Sequence, residues 1–352
     1  MIKMSEAPAL ISIENARAPF FWGVDVGGTG IKIGLVDDLG QTIAYERMPT
    51  RESEGPTAAM QRTAAVILGF HEELGSKDAL VTGVGLGAPG PMDLPAGTLV
   101  APPQLPSWWG FGIRDCLAKL VGLPVAFLND ANAAAYGEFW IGTGEQGTSM
   151  VLLTLGTGVG GGIIVDGELV NGVNSFGSEC GHIIVDPSPT AQICAWGGGR
   201  GHLEAYASAT GVVMRTRQRL MQDRKASTSS MLAGLLGGGD SELTSLRICQ
   251  AAVEGDALAI EIIDETARWL GIGITTLVHT LDPGVVVLGG AMDFGGAGTA
   301  LGERFLQTMR DEFKRRTFDN VFKGTTIHFA KLGGDAGYLG AAGYARKLFA
   351  KK

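Results

Sequence analysis

The chain has 352 residues, enough for two hydrophobic cores, and 45% of them are hydrophobic, which excludes an intrinsically disordered protein. A formal net charge of −8 argues against binding nucleic acid through a basic surface. Gly accounts for 55 residues, more than double the usual ~7%, and the excess gathers in loops such as 156–162, 197–201 and 289–290, as close approach of backbone to a ligand requires.

Residues 1–19 read as a loose arm, with no signal peptide because Glu14 breaks the only apolar run. Strands are predicted at Phe20–Val26, Ile31–Asp37 and Thr42–Met48, the first two joined by the turn Gly27-Gly28-Thr29-Gly30. A glycine hairpin of this kind turns free N–H groups toward an anion. Asp25, just before the turn, is placed to hold a metal ion or its water, and Lys32 on the outgoing strand reads as solvated. Ser53–Leu74 has helical spacing with Pro56 near its start, and Leu80–Leu86 is a short strand. The loop Val100–Gly110 follows, with Trp108 and Trp109 expected to pack at the edge of a binding cleft, and then a helix over Phe111–Val121. The buried strand Val125–Leu128 delivers Asn129 and Asp130 to its carboxyl end, where ligands sit in α/β sheets, and a helix over Ala131–Trp140 comes next.

An echo of the first hairpin lies 128 residues on: Gly156, Thr157 and Gly158 overlay Gly28, Thr29 and Gly30, between strands at Met150–Leu155 and Gly162–Val165. Two such copies predict two related lobes, each presenting a phosphate loop to a shared cleft. Cys180–Asp186 reads as another strand, Ala191–Glu204 as a glycine-rich loop entering a helix at Leu203, and Ser227–Ser241 as a flexible insertion or exposed helical turn. Asp256 caps a long helix over Ala257–His279, Val285–Leu288 is a strand reaching Gly289-Gly290, and a final helix covers Leu339–Phe349. No run of about 18 apolar residues goes uninterrupted, so no membrane span is expected. Cys116, Cys180, Cys194 and Cys249 are too dispersed for a disulfide framework and suggest a reduced, cytoplasmic protein.

Together DVGGTGIKIGLVD, LNDANAAAYGE, LTLGTGVGGGIIVDGELVNG, SECGHIIVD, EGDALAIEIIDETARWLGIGI and LDPGVVVLGG resemble the ROK family of sugar kinases and repressors, most of all its glucokinase branch. The resemblance runs over nearly the whole chain after residue 20. It implies a two-lobed actin-like ATPase (ribonuclease H-like) α/β fold with a cleft between duplicated lobes. The small lobe would be 1–131 plus a C-terminal helix at 338–352, and the large lobe 132–337. It further implies ATP- and Mg²⁺-dependent phosphorylation of a hexose, glucose to glucose 6-phosphate, in carbohydrate metabolism, by a cytoplasmic homodimer.

Carried over residue by residue, the resemblance makes Asp130 the general base on the sugar hydroxyl, with Asn129, Glu179, His182 and Glu204 holding the other hydroxyls. Gly27, Gly28, Thr29, Thr157 and Gly158 would line the phosphates, and Gly289 and Gly290 the adenosine, with Asp25 toward Mg²⁺. Gln104 stands where the family usually has an asparagine against the sugar, which leaves another sugar (an N-acetylhexosamine or fructose) as the alternative substrate. A kinase using polyphosphate as donor is a separate alternative. The family's CxCGxxGC zinc loop is broken here to Cys194-Ala195-Trp196-Gly197-Gly198-Gly199-Arg200-Gly201-His202. His182, Cys194 and His202 supply at most three of the four ligands that a structural zinc takes, so zinc is not expected. The rival of another class, a sugar-responsive repressor, needs a helix-turn-helix ahead of the first hairpin, and no helix pair is readable there.

Overall fold

A computed structural model describes residues 7–195, 199–223, 229–238 and 242–350. In chain order the strands are β1 (Phe20–Val26), β2 (Gly30–Val36), β3 (Thr42–Pro49), β4 (Val81–Ala88), β5 (Met92–Asp93), β6 (Thr98–Leu99), β7 (Val125–Asn129), β8 (Met150–Leu155), β9 (Val159–Val165), β10 (Glu168–Leu169), β11 (Val285–Gly289) and β12 (Thr326–Phe329). The helices, renumbered in order, are α1 (Pro56–Leu74), α2 (Ile113–Val121), α3 (Asp130–Ile141), α4 (Leu203–Ala207), α5 (Ala209–Gln222), α6 (Ser245–Val253), α7 (Ala257–Leu281), α8 (Ala300–Arg316), α9 (Asp319–Gly324) and α10 (Ala336–Phe349).

The expected duplication is visible as topology. One sheet runs β3-β2-β1-β4-β7 and the other β10-β9-β8-β11-β12. In each, the central strand leaves through a three-residue turn into a neighbouring strand, and the fourth and fifth strands join parallel to it. The chain divides into two compact units. The first takes residues up to Gln146, Gly162–Ser178 and those from Lys331 on; the second takes Gly147–Gly161 and Glu179–Ala330. This division does not follow the expected boundary at residue 131, because α3 stays with the first sheet.

The reason lies in glycine. In the first unit, side chains alternate across β1: Trp22, Val24 and Val26 join Ile31, Met60, Ile67 and Leu117 in one core, while Phe21 faces Tyr338, Leu339 and Ala342. On that second side, a Cβ at Gly23 would lie 1.9 Å from the Tyr338 carbonyl oxygen, and one at Gly85 would lie 1.8 Å from that of Ala341. The missing side chains let α10 lie directly on the sheet backbone. A Cβ at Gly340 would in turn meet the Ala133 carbonyl oxygen at 1.7 Å, so α3 and α10 also meet backbone to backbone. Buried Glu138 of α3 adds hydrogen bonds, accepting from the backbone N–H of Lys331 and Leu332 at 2.9 and 2.7 Å and of Thr143 at 2.8 Å.

In the second unit, the apolar face of α7 is buried through Ile262, Ile263, Leu270, Ile274 and Leu277. Asp256 caps it by accepting from Ala259 N at 2.9 Å, as its sequence position predicts. α5, α6 and α8, between stretches that the sequence reading left without elements, pack around it.

Four expectations need correcting. The arm is not loose over residues 7–19: Ile11 N bonds the Thr42 oxygen at 2.9 Å, Arg17 N bonds Asp37 at 2.9 Å, and Ile13 and Ala16 pack on the core. Cys180–Asp186 is not a strand. It begins as a 3₁₀ turn, Cys180–His182, and then pairs with residues 201–203 through an isolated bridge, Ile184–His202, with Val185 N donating to the Gly201 oxygen at 2.8 Å and Leu203 N to the Ile183 oxygen at 3.0 Å. Trp108 is fully buried in the first unit's core rather than at a cleft edge, whereas Trp109 is exposed. Lys32 is not simply solvated, as its contacts below show. The stretch expected as an insertion contains a 3₁₀ helix at Met231–Gly238; residues 227–228 and 239–241 of it lie outside the described residues, as do Trp196–Gly198 of the glycine-rich loop. Among the described residues no helix is long and apolar enough to cross a membrane.

Candidate functional site

The first unit carries one set of the predicted residues. Its turn, Gly27-Gly28-Thr29, is closed by Gly27 N donating to the Gly30 oxygen at 2.9 Å. Buried Thr50 fastens it from behind: its hydroxyl donates to the Gly27 oxygen at 2.6 Å, and its N–H to the Thr29 oxygen at 3.1 Å. Gln104 lies against the turn, since a Cβ at Gly28 would sit 3.2 Å from the Gln104 Cβ.

Sheet register brings the acidic residues to the same edge. Asp25 pairs with Gly87 and Gly87 with Leu128, so Asn129 and Asp130 emerge just past that row, with one strand between β1 and β7. Two strand spacings put the two strand ends about 10 Å apart. Asn129 is the N-cap of α3, its Oδ1 accepting from Ala131 N at 2.9 Å. Asp130 is the first helical residue and accepts from the same N–H at 2.8 Å. The capping role that a strand-end aspartate could have served therefore belongs to Asn129.

Asp335 joins this set, and the sequence pattern did not mark it. It precedes α10, whose second residue, Gly337, packs so close to Asp25 that a Cβ there would lie 2.5 Å from Oδ2. Lys32 donates to the Gly334 carbonyl. Burial raises the pKa of both Asp25 and Asp335, and the Lys32 charge opposes the rise in each. Among the described residues Asp25 accepts no hydrogen bond, and the buried Oδ1 of Asp335 has none either. Two under-satisfied carboxylates beside a phosphate-type turn fit a hard cation such as Mg²⁺. The signal for Asp335 was the Gly333-Gly334-Asp335-Ala336-Gly337 run at the head of the last helix.

The second unit carries the remaining predicted residues. Gly156 N donates to the Gly158 oxygen at 3.0 Å, and α5 holds the turn through Ala209 N on the Gly156 oxygen (2.8 Å) and the Thr210 hydroxyl on that of Thr157 (2.9 Å). Gly289 pairs with Thr154 at the end of β8, and Gly290, with φ of 93°, would put a Cβ 2.2 Å from the Leu155 oxygen. Both glycines therefore flank the Gly156–Gly158 turn.

Glu204, expected among the sugar-holding residues, spends both carboxylate oxygens inside the unit. Oε2 accepts from Val159 N at 2.9 Å, and Oε1 from the Cys194 thiol at 3.0 Å, with the residue 7% exposed. It also occupies the space where a Cβ on Gly158 would be, 2.4 Å from Oε2. This is the geometry of a residue that positions the second turn. Glu179 and His182 are exposed and bracket the 3₁₀ turn, held down by Gly181, whose Cβ would lie 2.0 Å from the Val159 oxygen. The pKa of Glu179 is raised by desolvation, opposed by His182 and reinforced by Glu204.

His182, Cys194 and His202 converge, with their ligand atoms all within 4.8 Å of one another. The two Nδ1 atoms are 3.1 Å apart, a hydrogen bond between the rings. Burial lowers the pKa of His202, and the His182 charge lowers it further. The set is one N/S ligand short of a closed structural zinc site, and the nearby Glu204 oxygen is already committed. Protein purified without added metal is expected to hold well under one zinc per chain by elemental analysis, with a melting temperature unchanged by EDTA. One full zinc per chain, lost together with stability on chelation, would overturn this.

A sequence model described as the ROK family matches residues 21–348. A glucokinase from Halalkalibacterium halodurans is 34% identical over 324 residues, spanning 91% of this chain and 93% of that protein. Among solved structures, a ROK hexokinase from Thermus thermophilus superposes with a TM-score of 0.74 at 29% identity, covering 94% of this chain and 98% of its own. A ROK family glucokinase from Streptomyces griseus, solved with glucose and AMPPNP, gives 0.68 at 33% identity over 93% and 99%.

Proposed function

This chain belongs to the ROK family and is a sugar kinase of the two-lobed actin-like ATPase fold, and we propose that it transfers the γ-phosphoryl group of ATP to the 6-hydroxyl of glucose. The observation that carries the reading is the placement of Asp130 at the carboxyl end of β7, on the sheet edge that also presents Asp25 and the first glycine turn.

Phosphoryl transfer asks a protein for positioning, for charge stabilisation and for one group that takes the hydroxyl proton. Asp130 is that base, fixed by the strand before it and by a helix whose cap is a different residue. Asn129, with its Oδ1 committed to the cap, offers its amide Nδ2 to a sugar hydroxyl, and Gln104, Glu179 and His182 supply further polar groups. Glu204 acts by holding the Gly158 turn. The N–H groups of Gly27, Gly28, Thr29, Thr157 and Gly158 receive the phosphates, and Gly289-Gly290 leaves flat backbone for the adenosine. Asp25 and Asp335 would hold Mg²⁺, which supplies neutralisation of phosphate charge when bound. Four free cysteines support a cytoplasmic setting, and the family resemblance supports a homodimer.

The test is a matrix of glucose, N-acetylglucosamine, N-acetylmannosamine and fructose against ATP and polyphosphate, with Mg²⁺ throughout. Glucose with ATP should give the highest kcat/KM. A higher value for an N-acetylhexosamine or for fructose would reassign the substrate, and a higher value with polyphosphate would reassign the donor.

A further inference from the structure

A second concave site lies wholly within the second unit, between α5, α7 and α8, with a volume of about 450 Å³. That is the size range of small-molecule sites, ~300–1,000 Å³. None of the residues assigned to catalysis above lines it.

Its chemistry runs against the acidic character of the whole chain. Arg215, Arg219, Arg268, Arg315 and Arg316 all line it, and the carboxylates within reach are already shared. Glu312 serves both Arg315 and Arg316. Glu265 serves Arg215 at 2.9 Å and Arg219 at 3.5 Å, and Glu261 takes the rest of Arg219 at 2.8 Å. Five guanidiniums thus face Glu312, Glu265 and Glu261, with the Asp223 charge also acting on Arg219. Arg268, exposed on α7, has no hydrogen-bond or ion-pair partner among the described residues.

A second observation concerns the charge of the wall. Arg215 is only 6% exposed, yet its buried Nε has no hydrogen-bond partner. Burial lowers its pKa to about 10, so it remains cationic at neutral pH. The enclosed Nε leaves the charge of Arg215 incompletely met by Glu265, Thr266 and the Ile262 carbonyl, which adds to the positive character of the wall. Tyr206 and Trp269, with ring centroids 4.1 Å apart, supply an aromatic wall to the same space.

We propose that this cavity binds a small organic phosphate that carries a ring, such as a phosphorylated sugar, at a site separate from the reaction. Guanidinium forks match phosphate oxygens two at a time, and an aromatic face suits the apolar face of a sugar ring. The claim does not depend on which sugar the enzyme phosphorylates.

The test is direct binding, by calorimetry and tryptophan fluorescence, with glucose 6-phosphate and inorganic phosphate as probes. Wild-type protein should bind glucose 6-phosphate more tightly than phosphate. Arg268→Glu, on an exposed position, should weaken that binding at least ~10-fold, the loss of one charge-assisted contact plus added repulsion. Arg268→Gln should weaken it less, and kcat at saturating sugar and ATP should stay at the wild-type value in both. Equal binding in wild type and Arg268→Glu would overturn the proposal by locating the probe elsewhere. So would the absence of binding to wild type, or binding by phosphate alone as tight as by the sugar phosphate.

Discussion

Asp130→Asn is expected to lower kcat by ~10²–10⁴-fold, the usual worth of general-base catalysis, while leaving the fold intact. The sugar hydroxyl is a poor nucleophile at neutral pH, and a carboxylate at the sheet edge can take its proton as the new bond to phosphorus forms. An amide has the same shape and still accepts a hydrogen bond, but it has no basicity. The structure sharpens this test, because the cap of α3 is Asn129 and Asp130 lies inside the helix. Replacing Asp130 therefore removes no cap, and the melting temperature should move by no more than about 1 °C, equivalent to under about 1 kcal/mol in a chain of this size. The KM for sugar should change little. Near-normal turnover in the variant would remove Asp130 from the chemistry and send the search for the base elsewhere.

Gly340→Ala should destabilise the protein by about 3 kcal/mol or more, lowering the melting temperature by roughly 4 °C or more. Helix propensity alone gives the opposite sign, because alanine is favoured over glycine inside a helix by about 1 kcal/mol. Geometry decides against propensity here. The new Cβ would sit 1.7 Å from the Ala133 carbonyl oxygen and 2.5 Å from Gly137 N, both backbone atoms that cannot rotate away. α10 cannot retreat, because its other side lies on the sheet at Gly23 and Gly85. Since α3 begins at Asp130, activity should fall with stability. A melting temperature equal to or above wild type would show that the two helices are not in backbone contact.

The zinc question shows how far one stretch of sequence reaches. The broken cysteine pattern could be read directly, and it limits the N/S ligands from this region to His182, Cys194 and His202. That those three meet within 4.8 Å, and that the two imidazoles bond to each other, depends on how residues 182–202 fold back on themselves through the bridges Ile184–His202 and Ile193–Arg200.

By itself the sequence determined the elements whose cause is local. The glycine hairpins, the strand that ends at Asn129-Asp130, the Asp256 cap and the duplicated strand–turn–strand order all follow from residue type and spacing within about ten positions. It also marked the residues that carry chemistry by type. Only the tertiary structure decided what those residues are committed to. The resemblance assigns Glu204 to the sugar hydroxyls, but Val159 and Cys194, 45 and 10 residues away, claim its oxygens. Lys32 reads as a solvated strand residue, but it reaches the Gly334 carbonyl 302 positions on, beside the carboxylate of Asp335. No local pattern singles out glycines 23, 85, 137 and 340, yet they are the places where α10 and its neighbours touch without side chains. The physical reason is the same in each case: hydrogen-bond partners and steric room are set by atoms brought together from distant parts of the chain, and a local pattern carries no record of them.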